Sequence, residues 1–348
     1  MLLPCCRLLS PPVPVGAFLR KLDAFRGVFL KTDCRLGLLA FQCKAFFRFL
    51  RFFPVVRYHS LLVMFYDTHV HFDQLESANG IVPIVERANE AGVGYMIAVG
   101  GSSRGNVAAL AAANLCPENI AAAVGFDRDK APELSVPSGG TSVSSASTLV
   151  GELNGDIERA RREGTRVVAI GEIGLDFHYS PETSEEQVAL FSEQLTLAGE
   201  LDLPVIVHSR DSEDATISEL RKYVARRNRA QITDPWGDAL TRVGVLHCFA
   251  GTKRFADELI EMGFCISFSG IITFKNASAL RDVARSVPED RLLIETDSPY
   301  LAPEPHRGKP CEPMYLPHVA QVLAEVRGCS VEKIADVTTN NARRLFSF

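Results

Sequence analysis

From residue 65 onward the chain alternates, eight times over, between a short apolar run and a longer segment with helical spacing, and no other feature restricts its fold as much. The apolar runs fall at 65–68, 95–99, 120–125, 166–170, 204–207, 243–247, 264–269 and 291–296. Helix-like segments follow at 81–91, 104–115, 152–163, 184–201, 214–227, 252–262, 276–286 and 314–327. The clearest is 184–201, where Val188, Phe191, Leu195 and Ala198 recur at helical intervals behind a Ser184-x-x-Gln187 start signal. Eight strands each followed by a helix predict a parallel α/β sheet, and eight such units are the number that closes a (β/α)8 TIM barrel. An open doubly wound sheet is the competing arrangement.

Two stretches break the beat. Residues 134–149 are rich in Ser and Gly with little to bury, and are expected to form a low-complexity insertion after the third strand. Residues 1–65 carry ten basic side chains against Asp23 and Asp33, a net +8, and hold 10 of the 21 Phe, so the rest of the chain is −13 although the total is only −5. Arg48, Arg51 and Arg57 interrupt the Phe-rich run, which argues against a membrane span. We therefore expect 1–63 to be a leader or a gene-model extension outside the fold, with 64–348 as the domain. The protein is then cytoplasmic, or mitochondrial if 1–63 is a transit peptide. The nine Cys show no CxxC pair and no repeated spacing, so a disulfide framework is not expected.

The polar residues that end the apolar runs carry the chemistry. His69 and His71 form an HxH at the first strand, where alternate residues share a face. Glu172 ends the fourth run, His208 the fifth, His247 the sixth and Asp297 the eighth. Any one of them is explained as ordinary packing or a turn residue. In a barrel, however, all C-terminal strand ends face one cavity, so six metal-type side chains would converge there. Six ligands exceed one tetrahedral ion and suit two cations sharing a carboxylate. Mixed His and carboxylate ligation accommodates Mg2+, Mn2+ or Zn2+. Such a pair acidifies a bridging water and clamps both oxygens of a phosphodiester, so the chemistry predicted is metal-assisted hydrolysis.

The segments Asp67-Thr68-His69-Val70-His71-Phe72-Asp73, Gly171-Glu172-Ile173-Gly174-Leu175-Asp176, Leu203-Pro204-Val205-Ile206-Val207-His208-Ser209-Arg210, His247-Cys248-Phe249-Ala250-Gly251 and Glu295-Thr296-Asp297-Ser298-Pro299-Tyr300-Leu301 together resemble the TatD-family DNases. The tail Asn340-Asn341-Ala342-Arg343-Arg344-Leu345-Phe346 resembles that family's terminal helix. The resemblance implies a metal-dependent hydrolase barrel in which His69, His71 and Asp297 serve one cation, His208 and His247 the other, and Glu172 bridges. It implies catalytic roles for Glu172 and for Asp297, which would orient or deprotonate water. It also implies a 3′→5′ exonuclease on single-stranded DNA, with links to DNA repair. Candidate phosphate contacts are Arg210, Lys275, His306, Arg307 and Lys309, the last three in a segment that resembles the family's Arg-Gly-Lys run. The chain departs from the family's Gly-x-His-Pro motif, reading Gly125-Phe126-Asp127-Arg128.

DNA is the expected partner as substrate, with no stable membrane association and a monomeric state. Within enzymes the competing reading is a D-aminoacyl-tRNA deacylase or another hydrolase on the same barrel. From another class, it is a non-catalytic nucleic-acid or partner-binding barrel, which would be expected to have lost one or more of the six ligands.

Overall fold

The computed structural model describes residues 64–75, 80–134, 145–227 and 242–348. Strands β1 (Phe65–Val70), β2 (Val93–Gly101), β3 (Ile120–Phe126), β4 (Val167–Asp176), β5 (Val205–Arg210), β6 (Gly244–Leu246), β7 (Cys265–Phe268) and β8 (Leu292–Ile294) form one eight-stranded sheet, each paired in parallel with the next. The ends meet through a parallel bridge between Val70 and Ser298, with His71 N–H donating to Ser298 O at 2.9 Å. This is the expected barrel, not the open sheet.

Helices α1 (Val82–Glu90), α2 (Ser103–Leu115), α3 (Ala146–Arg162), α4 (Ser184–Glu200), α5 (Glu213–Arg227), α6 (Lys253–Glu261), α7 (Ser278–Ser286) and α8 (Leu316–Arg327) follow the strands in turn, and α9 (Val331–Phe346) ends the chain. The strands face two apolar layers. Alternate residues such as Ile120, Ala122 and Val124 pack against the helices, while Ala121 and Ala123 join Ile97, Ile206 and Leu293 inside the barrel. At one end this inner layer is plugged by α9, whose Phe346 stacks on the buried Tyr66 at 6.3 Å.

Local chemistry sets the helix starts. The side chains of Ser102, Ser145, Thr252 and Ser330 each accept a backbone N–H three residues on, satisfying one of the free donors of α2, α3, α6 and α9. Two expectations need correction here. Residues 146–149 belong to α3, not to a featureless insertion, because Ser145 caps the helix and Leu149 and Val150 bury against the barrel. Leu134 ends a short 3-10 helix, Arg128–Leu134, and residues 135–144 of the insertion, with residues 1–63, lie outside the described residues. Helix α4 does begin at Ser184, but Gln187 closes no capping box. Its side-chain oxygen accepts the Asp176 N–H at 2.8 Å and its amide donates to Ser180 O, which ties α4 to the end of β4 instead.

Candidate metal centre

All six expected ligand residues meet at the C-terminal mouth of the barrel, and the centre of the group is Glu172. Its Oε2 lies 3.4 Å from His69 Nε2 and 3.5 Å from His71 Nε2. Its Oε1 lies 3.1 Å from His247 Nε2 and 3.4 Å from His208 Nδ1. Asp297 Oδ1 closes the first side, 3.6 Å from His71 Nε2 and 3.8 Å from His69 Nε2. On the other side His208 Nδ1 and His247 Nε2 are 3.3 Å apart. One carboxylate thus presents each oxygen to its own pair of imidazoles.

The strands do not reach this arrangement by simple alternation. Pairing registers shift between Asp67 and Val70 in β1 and between Ile170 and Ile173 in β4, the intervals that contain His69 and Glu172. An irregularity of this kind re-aims a side chain that strict alternation would place elsewhere. Strand β4 also runs on to Asp176, past the Glu172 at which the apolar pattern ended. Gly174 has φ +141°, and a Cβ there would stand 2.0 Å from His208 O, so glycine is required for β4 and β5 to approach this closely. Asp297 adopts φ +58°, a left-handed conformation uncommon for a residue with a side chain, while its N–H donates to His69 O at 3.0 Å.

Electrostatics set buried carboxylates against buried imidazoles. Burial disfavours charge on His71, yet hydrogen bonds and the charges of Asp297 and Glu172 hold it up at about 10. Burial likewise opposes charge on His247, but Glu172 and Glu295 raise it well above its ordinary value. In return, and against their own burial, Glu172 is held well below and Asp297 below the usual carboxylate range by the imidazoles around them. His69 is lowered by burial and by the neighbouring His247 charge. Positive charge is favoured on one member of each imidazole pair, and metal cations are the other species that such a donor set accepts. His69, His71 and Asp297, and separately His69, Glu172 and His247, have donor atoms all within 4.8 Å of one another. The residues present fit divalent cations.

Carboxylates that sequence reasoning passed over support the rings. His208 Nε2 is 3.1 Å from Asp176 Oδ2, so the ring turns Nδ1 toward Glu172. His247 Nδ1 faces Glu295 Oε1 at 3.4 Å, and that oxygen also accepts the Cys248 N–H at 2.6 Å. The Nδ1 atoms of His69, His71 and His247 are buried without a hydrogen-bond partner, His247 meeting Glu295 at ion-pair distance only. Asp67, buried and pushed up to about 8, accepts from Thr296 Oγ1 at 2.6 Å and from the Thr296 N–H, joining β1 to the segment after β8. Asp67, Asp176 and Glu295 all stood inside the quoted motifs, and only their contacts distinguish them.

Above the cluster opens a cleft of about 880 Å³ lined by His71, Glu172, His208, His247 and Asp297 among others. Of the expected phosphate contacts, Arg210 lines this cleft, while Arg307 is not a lining residue and lies 4.2 Å over the ring of Phe274, which is one. Lys275, His306 and Lys309 are not among the lining residues. Lys275 is exposed, and the His306 ring stacks on Tyr315 at 4.0 Å with its Nε2 3.2 Å from that of His318. His178 pairs with Asp211 at 2.9 Å. Asp127 and Arg128, which replace the family's His-Pro, both line the cleft. The described cysteines are free, and no helix among the described residues is long and apolar enough to cross a membrane.

A closed parallel barrel that gathers imidazoles and carboxylates at the C-terminal ends of its strands defines a hydrolase-type barrel with a candidate metal centre. The TatD related DNase family matches residues 66–347, and the chain belongs to that family of ester-bond hydrolases. Over 193 residues it is 48% identical to an uncharacterized metal-dependent hydrolase, YcfH, of Escherichia coli K12, covering 55% of this chain and 68% of that one. It is 34% identical to the 3′-5′ ssDNA/RNA exonuclease TatD of Erwinia tasmaniensis, covering 81% of this chain and 99% of the relative. The crystal structure of YJJV, a TatD homolog from Escherichia coli K12, superposes with a TM-score of 0.68 at 32% identity over 83% of this chain and all of that one.

Proposed function

We propose that this chain is a two-cation phosphodiesterase that removes nucleotides from the 3′ end of single-stranded DNA. The carrying observation is the division of Glu172, one oxygen toward His69 and His71 and the other toward His208 and His247. On this reading His69, His71 and Asp297 hold one cation, His208 and His247 the other, and Glu172 spans both. Two divalent cations bound there, Mg2+, Mn2+ or Zn2+, would supply an acidified water and offset the charge of a phosphate. Asp297, which lines the cleft, would be placed to orient a water and accept its proton. Arg210 neutralises a phosphate oxygen from the cleft wall. The names borne by the TatD relatives support the choice of a nucleic-acid strand, although the same centre could activate water against the ester carbonyl of an aminoacyl-tRNA.

Purified parent and Glu172→Ala protein, compared for bound metal and for hydrolysis of single-stranded DNA, test the proposal. We expect the variant to lose bound cation and to fall to background activity. Nuclease activity retained by Glu172→Ala would refute the mechanism. Cleavage of D-aminoacyl-tRNA by the parent, without cleavage of DNA, would replace the substrate.

A further inference from the structure

Tyr179 is 61% exposed, unusual for an aromatic ring, and it lines the cleft above the cation-ligand candidates. Its ring is not bare. The guanidinium of Arg210 lies 4.6 Å and that of Arg128 5.5 Å from the ring centre, and the His178 ring meets it edge-on at 4.9 Å. Cations against an aromatic face hold the ring in place and bring positive charge beside a flat apolar surface.

A single carboxylate fixes this assembly relative to the proposed centre. Asp176 Oδ1 accepts the backbone N–H groups of His178 and Tyr179 at 3.0 and 2.9 Å. Its Oδ2 lies 3.1 Å from Arg128 Nη1 and 3.1 Å from His208 Nε2. The ring's backbone, one flanking cation and an imidazole facing Glu172 therefore share one anchor.

From this arrangement we infer that Tyr179 is a stacking platform for an unpaired nucleobase next to the phosphodiester being cleaved, with Arg128 and Arg210 taking the neighbouring phosphates. The inference rests on the phosphodiesterase reading and adds a reason for strand selectivity. Every base has a π-face that can lie on a tyrosine, whereas a base inside a duplex has both faces covered by its neighbours. The platform would thus select unpaired strand ends without reading sequence. Arg128, which stands where the family's Pro would, supplies a charge that the family pattern lacks at that position.

The test uses the full chain with Mn2+ and a single-stranded oligodeoxynucleotide whose linkages are phosphorothioates that resist cleavage. 2-Aminopurine is placed in turn at each of the 3′-terminal residues. We expect its fluorescence to be quenched at one position, and Tyr179→Ala to abolish that quench and weaken binding about tenfold. Tyr179→Trp should restore both, and an abasic residue at the quenched position should make parent and Tyr179→Ala bind alike. Absence of a quench at every position in the parent, or equal weakening by Tyr179→Ala on the abasic strand, would overturn the platform. A Tyr179-dependent quench without hydrolysis of the unmodified strand would instead leave the platform standing and remove the phosphodiesterase reading. Because the side chain is exposed, Tyr179→Ala should keep the parent's melting temperature, which separates a lost contact from a lost fold.

Discussion

Asp176 touches no other member of the six-residue cluster than His208, yet its two oxygens serve His208, Arg128 and two backbone N–H groups at once. Replacing it by Asn keeps the size but removes the charge and one acceptor. We expect Asp176→Asn to free the His208 ring and to weaken cation binding about 10–100-fold, the usual cost of losing a carboxylate behind a ligating imidazole. Calorimetric titration with Mn2+ would show it, and unchanged affinity would assign Asp176 to the loop alone. The six cluster residues were legible in the sequence because each is a metal-type side chain directly after an apolar run. Asp176 and Glu295 were not singled out, because what distinguishes them is which ring lies behind them in space. Lys275, His306, Arg307 and Lys309 stand close to motifs in the sequence but are not among the residues that line the cleft.

At the level of elements, the eight strands and the eight helices that follow them could be read from the alternation of apolar runs, whereas α9 was expected only from the family resemblance. What the pattern could not show is where a strand breaks its own period. The register shifts around His69 and Glu172 carry no residue signature, and the continuation of β4 through Gly-Leu-Asp reads locally like a turn. Gly174 makes that continuation feasible. Gly174→Ala forces a Cβ into the His208 carbonyl at a φ that side chains rarely adopt, and should destabilise the fold by about 3 kcal/mol or more. Denaturant unfolding would measure this, and a loss below about 1 kcal/mol would mean that β4 and β5 part easily. The start of α3 was placed too late for a different reason. Its first turn, Ala-Ser-Thr-Leu, shares the composition of the preceding Ser-rich stretch, and only the cap at Ser145 and the burial of Leu149 set it apart.

For the whole molecule, the described barrel holds a group of buried carboxylates and imidazoles whose charge balance is incomplete without protons or cations. A cation that binds only the closed barrel must raise its stability. At about a hundredfold excess over Kd the gain is about 2.7 kcal/mol per site. We therefore expect Mn2+ to raise the melting temperature of the parent and to leave that of Glu172→Ala nearly unchanged. Equal shifts in both would mean that the cation binds elsewhere.

The seam between β1 and the segment after β8 has one more consequence. His69 and His71 come from the start of the barrel and Asp297 from its end, and they meet only when Asp297 N–H reaches His69 O and Thr296 reaches Asp67. A chain still emerging from the ribosome, or one whose last strand has peeled away, possesses β1 but not its counterpart. On the proposed mechanism such a chain is unarmed. An enzyme able to degrade nucleic acid would then become dangerous only once its fold is finished, and would be disarmed whenever that seam opened.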